Sequence, residues 1–150
     1  MKQVKYVSLF LLAMVLAVGF ASCSDDEEEI QSNELPGLWQ CVVEEGYIKY
    51  ESRPDWDKTW KDVDPTEIDL TYEFKSDGTG VLRYTNVPAY CDWALEDRKL
   101  ILTNINGSVT NEFKVLKLTS NELIIELFEN DTYENGKCEY YRKLTFQKVK

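Results

Sequence analysis

Histidine is absent from all 150 residues of the sequence. Without an imidazole, Ser-His-Asp and Cys-His catalytic systems and histidine-ligated metals are excluded. The chain also lacks the one side chain that titrates near neutrality unaided. Acid–base chemistry would therefore require carboxylates or lysines with shifted pKa values. No pair of Asp or Glu residues has a spacing that distinguishes it from the acidic residues expected on a solvated surface. We expect a protein that is not an enzyme, uses no cofactor and binds no metal.

Positive charge is scarce, with 17 Lys and Arg residues against 27 Asp and Glu residues and a net charge of −10. An acidic protein repels nucleic acid and anionic lipid head groups, which argues against both as partners. The same charge also keeps a protein soluble. Aromatic residues are plentiful at 13%, which favours a packed β domain over a disordered chain.

The N-terminus has the pattern of a secretory signal peptide. Two lysines among the first five residues precede an apolar run over residues 6–20, interrupted only by Ser8. The run is short for a helix that spans a membrane. Ala21 and Ser22 precede Cys23 and resemble a lipobox, where a lipoprotein signal peptidase cuts before an acylated cysteine. We expect cleavage after residue 22 and acyl chains such as palmitate on Cys23; the alternative is an ordinary signal with a chance cysteine.

An acidic tract, residues 24–29, follows Cys23. It resembles the export tract of surface lipoproteins in gut-type Gram-negative bacteria, which implies an outer-membrane protein facing outside the cell. The alternative is a solvated, self-repelling tether. Two or three acyl chains would anchor the protein stably in a membrane. In either case we expect residues 23–34 to be the acylated cysteine and its linker, and residues 35–150 to form one domain.

Alternation of apolar and polar residues dominates this domain and predicts an all-β fold. Short connections between strands force antiparallel neighbours. Eight such strands with one apolar face favour an up-and-down barrel, and a two-sheet sandwich is the alternative. The predicted strands cover residues 37–45, 67–75, 80–85, 89–96, 99–105, 108–118, 122–128 and 138–149.

Several motifs resemble those of the lipocalin-like domains of small Gram-negative surface lipoproteins. Gly37-Leu38-Trp39 resembles the Gly-x-Trp of their first strand, and residues 74–80 resemble their F-x-x-D-G-T hairpin. Residues 93–95, 100–102 and 115–123 continue the same rhythm. The resemblance spans residues 35–149 and implies an eight-stranded barrel with room for a small molecule.

One connection, residues 46–66, is much longer than the others, and long ordered loops are often functional. Pro54 and Asp55 could begin a short helix there. On that helix Trp56 and Trp60 would be four residues apart and share a face. We predict a lid whose two indoles close over a ligand, or alternatively a helical plug that completes the core.

Aromatic side chains also point into the predicted barrel. An eight-stranded barrel either fills with side chains or holds one small ligand. Buried tyrosine hydroxyls and indole N–H groups need hydrogen-bond partners, which a ligand could supply. The residues predicted to line a ligand site are Trp39, Tyr72, Tyr84, Trp93, Phe113 and Tyr140, together with Trp56 and Trp60.

Three further cysteines, Cys41, Cys91 and Cys138, point inward by strand phase. Opposite walls of a barrel hold two cysteines farther apart than a disulfide can bridge. We therefore favour buried free thiols, although an envelope protein is also free to form a disulfide.

Two functions follow from these expectations. The first is a membrane-anchored binder of a small hydrophobic or amphipathic molecule held in the barrel. The second is a non-catalytic interaction module with a filled barrel, docking an unknown protein in a cell-envelope complex. An enclosed apolar space of about 300 Å³ or more would favour the first function.

Overall fold

A computed structural model describes residues 30–133 and 136–150. The predicted signal peptide, Cys23 and the acidic tract lie outside these residues. Within the described part, no helix is long and apolar enough to cross a bilayer. Short 3-10 turns lie at Ser32–Glu34 and Pro54–Trp56, and one helical turn, α1, at Pro65–Ile68. The strands are β1 (Gly37–Tyr50), β2 (Lys58–Asp62), β3 (Leu70–Phe74), β4 (Thr79–Tyr84), β5 (Val87–Glu96), β6 (Lys99–Ile105), β7 (Val109–Leu118), β8 (Glu122–Tyr133) and β9 (Gly136–Lys148).

Eight of these strands close into an antiparallel barrel, as the sequence predicts. β3 to β9 pair in chain order, and β1 pairs with β3 on one side and β9 on the other. β2 is the additional strand, and it pairs only with β1. Closure satisfies the backbone groups that an open sheet would leave at its edges.

Residues that tolerate positive φ occupy the turns between β6 and β7 and between β3 and β4. Asn106 and Gly107 both adopt positive φ, 50° and 96°, in the three-residue connection between β6 and β7. Gly78 supplies the positive φ of 87° between β3 and β4. One end of the barrel, the base, carries the tight turns 75–78, 97–98 and 119–121; the other end, the top, carries turns 85–86 and 106–108 and the long connection between β1 and β3.

Side chains of the barrel strands fill its interior. Trp39 is fully buried and donates its indole N–H to the carbonyl of Leu35, at 2.8 Å, so Leu35 is fixed at the base. The ring centroids of Tyr72 and Phe146 are 4.8 Å apart. The buried cluster comprises Leu35, Trp39, Cys41, Ile68, Leu70, Tyr72, Phe74, Cys91, Leu100, Leu102, Phe113, Val115, Leu118, Leu123, Ile125, Leu144 and Phe146.

A β-bulge changes the direction of side chains halfway along β1. Cys41 pairs with Phe146, and the next pair is Val43 with Thr145, so one residue of β1 has no partner on β9. An extra residue reverses the alternation that follows it. Glu44 therefore pairs with Leu144 and lies on the inner side of the sheet, where an uninterrupted alternation would have turned it outward.

Beyond the barrel, four strands continue upward as a sheet extension: residues 44–50 of β1, 58–62 of β2, 127–133 of β8 and 136–142 of β9. Its register runs from the pair Glu44–Asp62 to Ile48–Lys58 on one side of β1. On the other side, β8 and β9 pair as far as Tyr133 and Gly136. The prediction of a lid over residues 46–66 is therefore wrong, since residues 46–50 and 58–62 form strands of the extension. Residues 129–133 and 136–137, which lie between the predicted strands 122–128 and 138–149, also belong to strands.

The predicted second strand, residues 67–75, begins later than expected. α1 occupies its start, because the Asp64 side chain caps the turn by accepting the Thr66 N–H at 2.8 Å. Asp69 then ends the turn with a positive φ of 40°. The strand proper keeps the predicted alternation, with Leu70, Tyr72 and Phe74 buried.

Candidate functional site

Three of the predicted site residues belong to the barrel core. Trp39, Tyr72 and Phe113 are buried among neighbouring side chains. Tyr72 contacts the rings of both Phe74 and Phe146. Burial raises the pKa of the Tyr72 hydroxyl to about 12, so it stays neutral at physiological pH. These rings form the packed floor beneath the top of the barrel.

Two other predicted residues lie at opposite ends of the barrel. Tyr84 has the inward phase but is 57% exposed, because β4 ends at the top rim and nothing covers the ring there; the prediction that it points into the interior is wrong. Trp93 is half-buried near the base. Its indole N–H donates to the carbonyl of Lys75 at 2.9 Å. Its ring contacts the Phe74 ring edge-on, with the two ring centroids 5.8 Å apart. Neither contributes to a shared site.

Trp56 and Trp60 do not share a helix, contrary to the prediction. Trp56 ends a 3-10 turn and is 50% exposed, with Arg53 over its ring at 4.0 Å. Trp60 lies in β2, opposite Gly46 of β1. A helix over these residues would forfeit the backbone hydrogen bonds that β2 makes with β1, so tertiary pairing overrides the local helical signal.

Trp60 and Tyr140 form an aromatic platform on the inner side of the sheet extension. Their ring centroids are 6.1 Å apart with an interplanar angle of 34°. The indole lies over Gly46, where the Cβ of any larger residue would clash with the Tyr141 carbonyl oxygen and approach the Trp60 ring to 2.6 Å. Glycine is therefore required at this position for the indole to pack against the strand. Both rings are half-buried, so each keeps part of its surface accessible.

An ion pair lies beside the platform, between Glu44 and Arg142. The Arg142 Nε donates to the Glu44 carboxylate at 2.9 Å, and the two side chains are only 24% and 16% exposed. Burial opposes the charge on Arg142, but its hydrogen bond to Glu44 and the carboxylate charge outweigh this and raise the pKa above its usual value. Burial also raises the pKa of Tyr140. The platform thus combines neutral aromatic surface with one fixed, shielded pair of charges.

Sequence reasoning missed both members of this ion pair. Arg142 has the same parity as Tyr140, Leu144 and Phe146, so a cation on an otherwise apolar face of a strand was a readable signal. Glu44 carried no such signal. Its inward position depends on the bulge after Cys41, and a bulge arises from pairing with a distant strand.

Cys41, Cys91 and Cys138 are free and buried, in agreement with the thiols favoured from the sequence. Burial raises the pKa of Cys41 to about 12, and burial also raises the pKa of Cys91. Thiols protonated to this degree are poor nucleophiles. Among the described residues, no group of three or more acidic or cysteine side chains is arranged to hold a metal ion.

Comparison with protein-family models and with curated proteins finds no match to this sequence. The fold itself is an eight-stranded antiparallel barrel with a sheet extension at its top. The candidate functional features of this fold are therefore the platform and the surfaces of the sheet extension.

Proposed function

We propose that this protein is a membrane-anchored lipocalin-like lipoprotein that binds a small hydrophobic or amphipathic molecule without catalysing a reaction. The observation that carries the proposal is the platform of Trp60 and Tyr140 beside the Glu44–Arg142 pair, above a filled barrel. The ligand site proposed is therefore the inner side of the sheet extension and not the interior of the barrel.

Binding on the platform would draw on two kinds of interaction. Covering half-buried aromatic rings removes apolar surface from water, at roughly 25 cal/mol per Å² before entropic costs. The ion pair supplies fixed polar groups that can orient the head of an amphipathic ligand. Because Glu44 already shields Arg142, a polar uncharged head group suits the site better than a strong anion.

The anchor is proposed from the sequence of residues 20–29, with acylation of Cys23. Metabolic labelling with palmitate tests it directly, comparing the natural chain with Cys23→Ser. Label in the natural chain and its loss from the variant are expected. Equal labelling of both would contradict acylation at Cys23.

A neutral fluorescent probe, N-phenyl-1-naphthylamine, and a neutral nonionic detergent provide a test of the platform. Detergent should displace the probe from the natural protein, and Trp60→Ala should weaken detergent binding about tenfold, or about 1.4 kcal/mol. Trp56→Ala is the matched control, because it removes an exposed tryptophan outside the platform. Detergent binding that is unchanged in Trp60→Ala, with the fold intact by circular dichroism, would refute the proposed site.

The filled interior favours a second candidate, an interaction module in a cell-envelope complex. Trp39, Phe74 and Phe146 are essentially inaccessible to solvent, so the barrel serves as a rigid support for its outer surfaces. Native mass spectrometry of protein purified from membranes separates the candidates. A co-purifying small molecule supports the first, and a retained protein with no small molecule supports the second.

A further inference from the structure

β8 has a long backbone edge that no other strand of the described chain occupies. β7 pairs with β8 only up to the pair Lys114–Glu126. β8 continues for seven more residues, 127–133, and pairs there with β9 alone. The N–H and C=O groups on the side away from β9 are therefore available to hydrogen-bond an added strand.

A groove lies where β7 and β8 separate. It has a volume of about 480 Å³, and Phe128, with the edge of the buried Phe113, contributes aromatic surface to its wall. The other lining residues are charged: Asp97, Arg98, Lys99, Glu112, Lys114 and Glu126. Phe128 is 52% exposed, so much of its ring is accessible to a residue of an added strand. A groove of this size next to free backbone groups can take a side chain of an added strand.

Charge distinguishes the partners that this edge would accept. The two carboxylates within residues 127–133, Glu129 and Asp131, are both exposed, and no lysine or arginine lies among these seven residues. Glu129 pairs with Tyr140 and Asp131 with Cys138, so both carboxylates lie on the inner side of the sheet extension. Phe128 lies on the opposite side, facing the groove. The edge thus presents two carboxylates on the inner side and, on the outer side, the exposed Phe128 ring beside a groove lined by charged residues of both signs.

We infer that β8 binds an extended segment of a partner protein, added as an antiparallel strand along residues 127–133, in which basic and apolar residues alternate. Alternate side chains of a strand point to opposite sides of a sheet. The basic ones would meet Glu129 and Asp131, and the apolar ones would enter the groove beside Phe128. The net charge of −10 also favours a basic segment over a second copy of this chain. This inference rests on the second candidate function and names its surface.

The probe for this inference is a decapeptide of alternating lysine and valine, and its matched control alternates glutamate and valine. We expect the lysine peptide to bind and to slow amide hydrogen exchange over residues 127–133. We expect the glutamate peptide to bind at least about tenfold more weakly, a difference of about 1.4 kcal/mol. Equal binding of the two peptides, or protection elsewhere only, would overturn the inference.

Two proline variants act as controls for each other. Successive N–H groups of a strand point to opposite sides of that strand. One of the two variants Asn130→Pro and Asp131→Pro therefore removes an N–H that faces the free edge, and the other removes an N–H that faces β9. The variant that keeps the melting temperature is expected to lose peptide binding. Natural affinity in that folded variant would refute strand addition.

The double variant Glu129→Gln, Asp131→Asn leaves the backbone unaltered and guards against misfolding of the proline variants. It should lower the affinity for the lysine peptide about tenfold. An unchanged affinity would exclude a role for these carboxylates in binding. Concentration-dependent self-association that the folded proline variant abolishes would overturn the basic partner in favour of a second copy. Trp60→Ala should leave peptide binding intact, so failure of the platform proposal and failure of this inference are separately visible.

Discussion

The barrel and the sheet extension share strands but differ in how they are built. In the barrel, apolar side chains of the barrel strands meet in one core. Leu123, Ile125 and Leu144 have no accessible surface there. In the extension, β8 and β9 continue with no opposite wall to pack against. Its inner side therefore carries half-buried rings and an ion pair beside the partly buried aliphatic side chains of Ile48 and Leu127.

This difference separates stability from recognition within a single sheet. Burial of apolar surface supplies most of the favourable free energy of folding. We therefore expect the barrel, where this burial occurs, to contribute most of the stability of the protein. The extension keeps accessible aromatic surface, shielded charge and free backbone edges, which are the features that bind other molecules. The four predictions below test this division.

The largest loss of stability is expected from Trp39→Ala. The change removes the most voluminous fully buried side chain and its hydrogen bond to Leu35, so it should cost about 3–5 kcal/mol of the free energy of unfolding. Urea titration followed by circular dichroism measures the cost. A loss below about 1 kcal/mol would mean that the interior relaxes around the cavity, and the division would fail.

A smaller loss is expected from Glu44→Gln at the junction of the two regions. The substitution leaves the half-buried Arg142 charge without its carboxylate and should cost about 1–3 kcal/mol. Glu73→Gln is the matched control, because its 3.2 Å pair with Arg83 is more exposed and should contribute less than about 1 kcal/mol. Equal losses in the two variants would show that the junction is no better shielded than the outer surface.

Alkaline pH should also weaken the barrel. Burial raises the pKa of Cys41 to about 12 in the folded state, whereas an unfolded thiol titrates near pH 8.5. The contribution of this thiol to the free energy of unfolding is fully present below about pH 8.5. It is lost as the pH rises toward 12, because only the unfolded thiol ionises in that range. We expect a loss of about 1 kcal/mol between pH 8 and pH 9.5, smaller in Cys41→Ala. A urea midpoint that is independent of pH over this range would argue against the buried, protonated thiol.

The smallest effect is expected from Trp56→Ala. This side chain lies at the edge of the extension, contacting Tyr50 and Arg53 with half of its surface exposed. Its removal should cost less than about 1 kcal/mol in the same urea titration that measures Trp39→Ala. If Trp56→Ala and Trp39→Ala lower the free energy of unfolding by the same amount, the residue type and not its region would determine the loss of stability.

The sequence predicted the barrel well because the barrel depends on local rules. The alternation of Leu70, Tyr72 and Phe74 identifies an inward face without knowledge of any partner strand. Asn106-Gly107 identifies a hairpin because the two residues tolerate positive φ. In the predicted strand over residues 99–105, Leu100 and Leu102 face the core, and the pairing becomes irregular after Leu102.

The candidate site was predicted only in part. Tyr140 and Trp60 were both identified as site residues, but from different arguments and as parts of different elements. Residues 129–132 and 136–137 are polar or glycine on both faces of their strands, and such segments have no apolar alternation by which a strand could be recognised. The extension therefore could not be inferred, and neither could the free edge of β8.

By itself, the amino-acid sequence determined the eight barrel strands, most of their inward residues and the hairpin turns, because side-chain alternation and backbone φ preferences act within a few residues. Only the tertiary structure decided the bulge in β1, the pairing of β2 with β1 and the meeting of Glu44 with Arg142. Each of these depends on hydrogen bonds or contacts between residues far apart in the chain, whose energies no local pattern encodes.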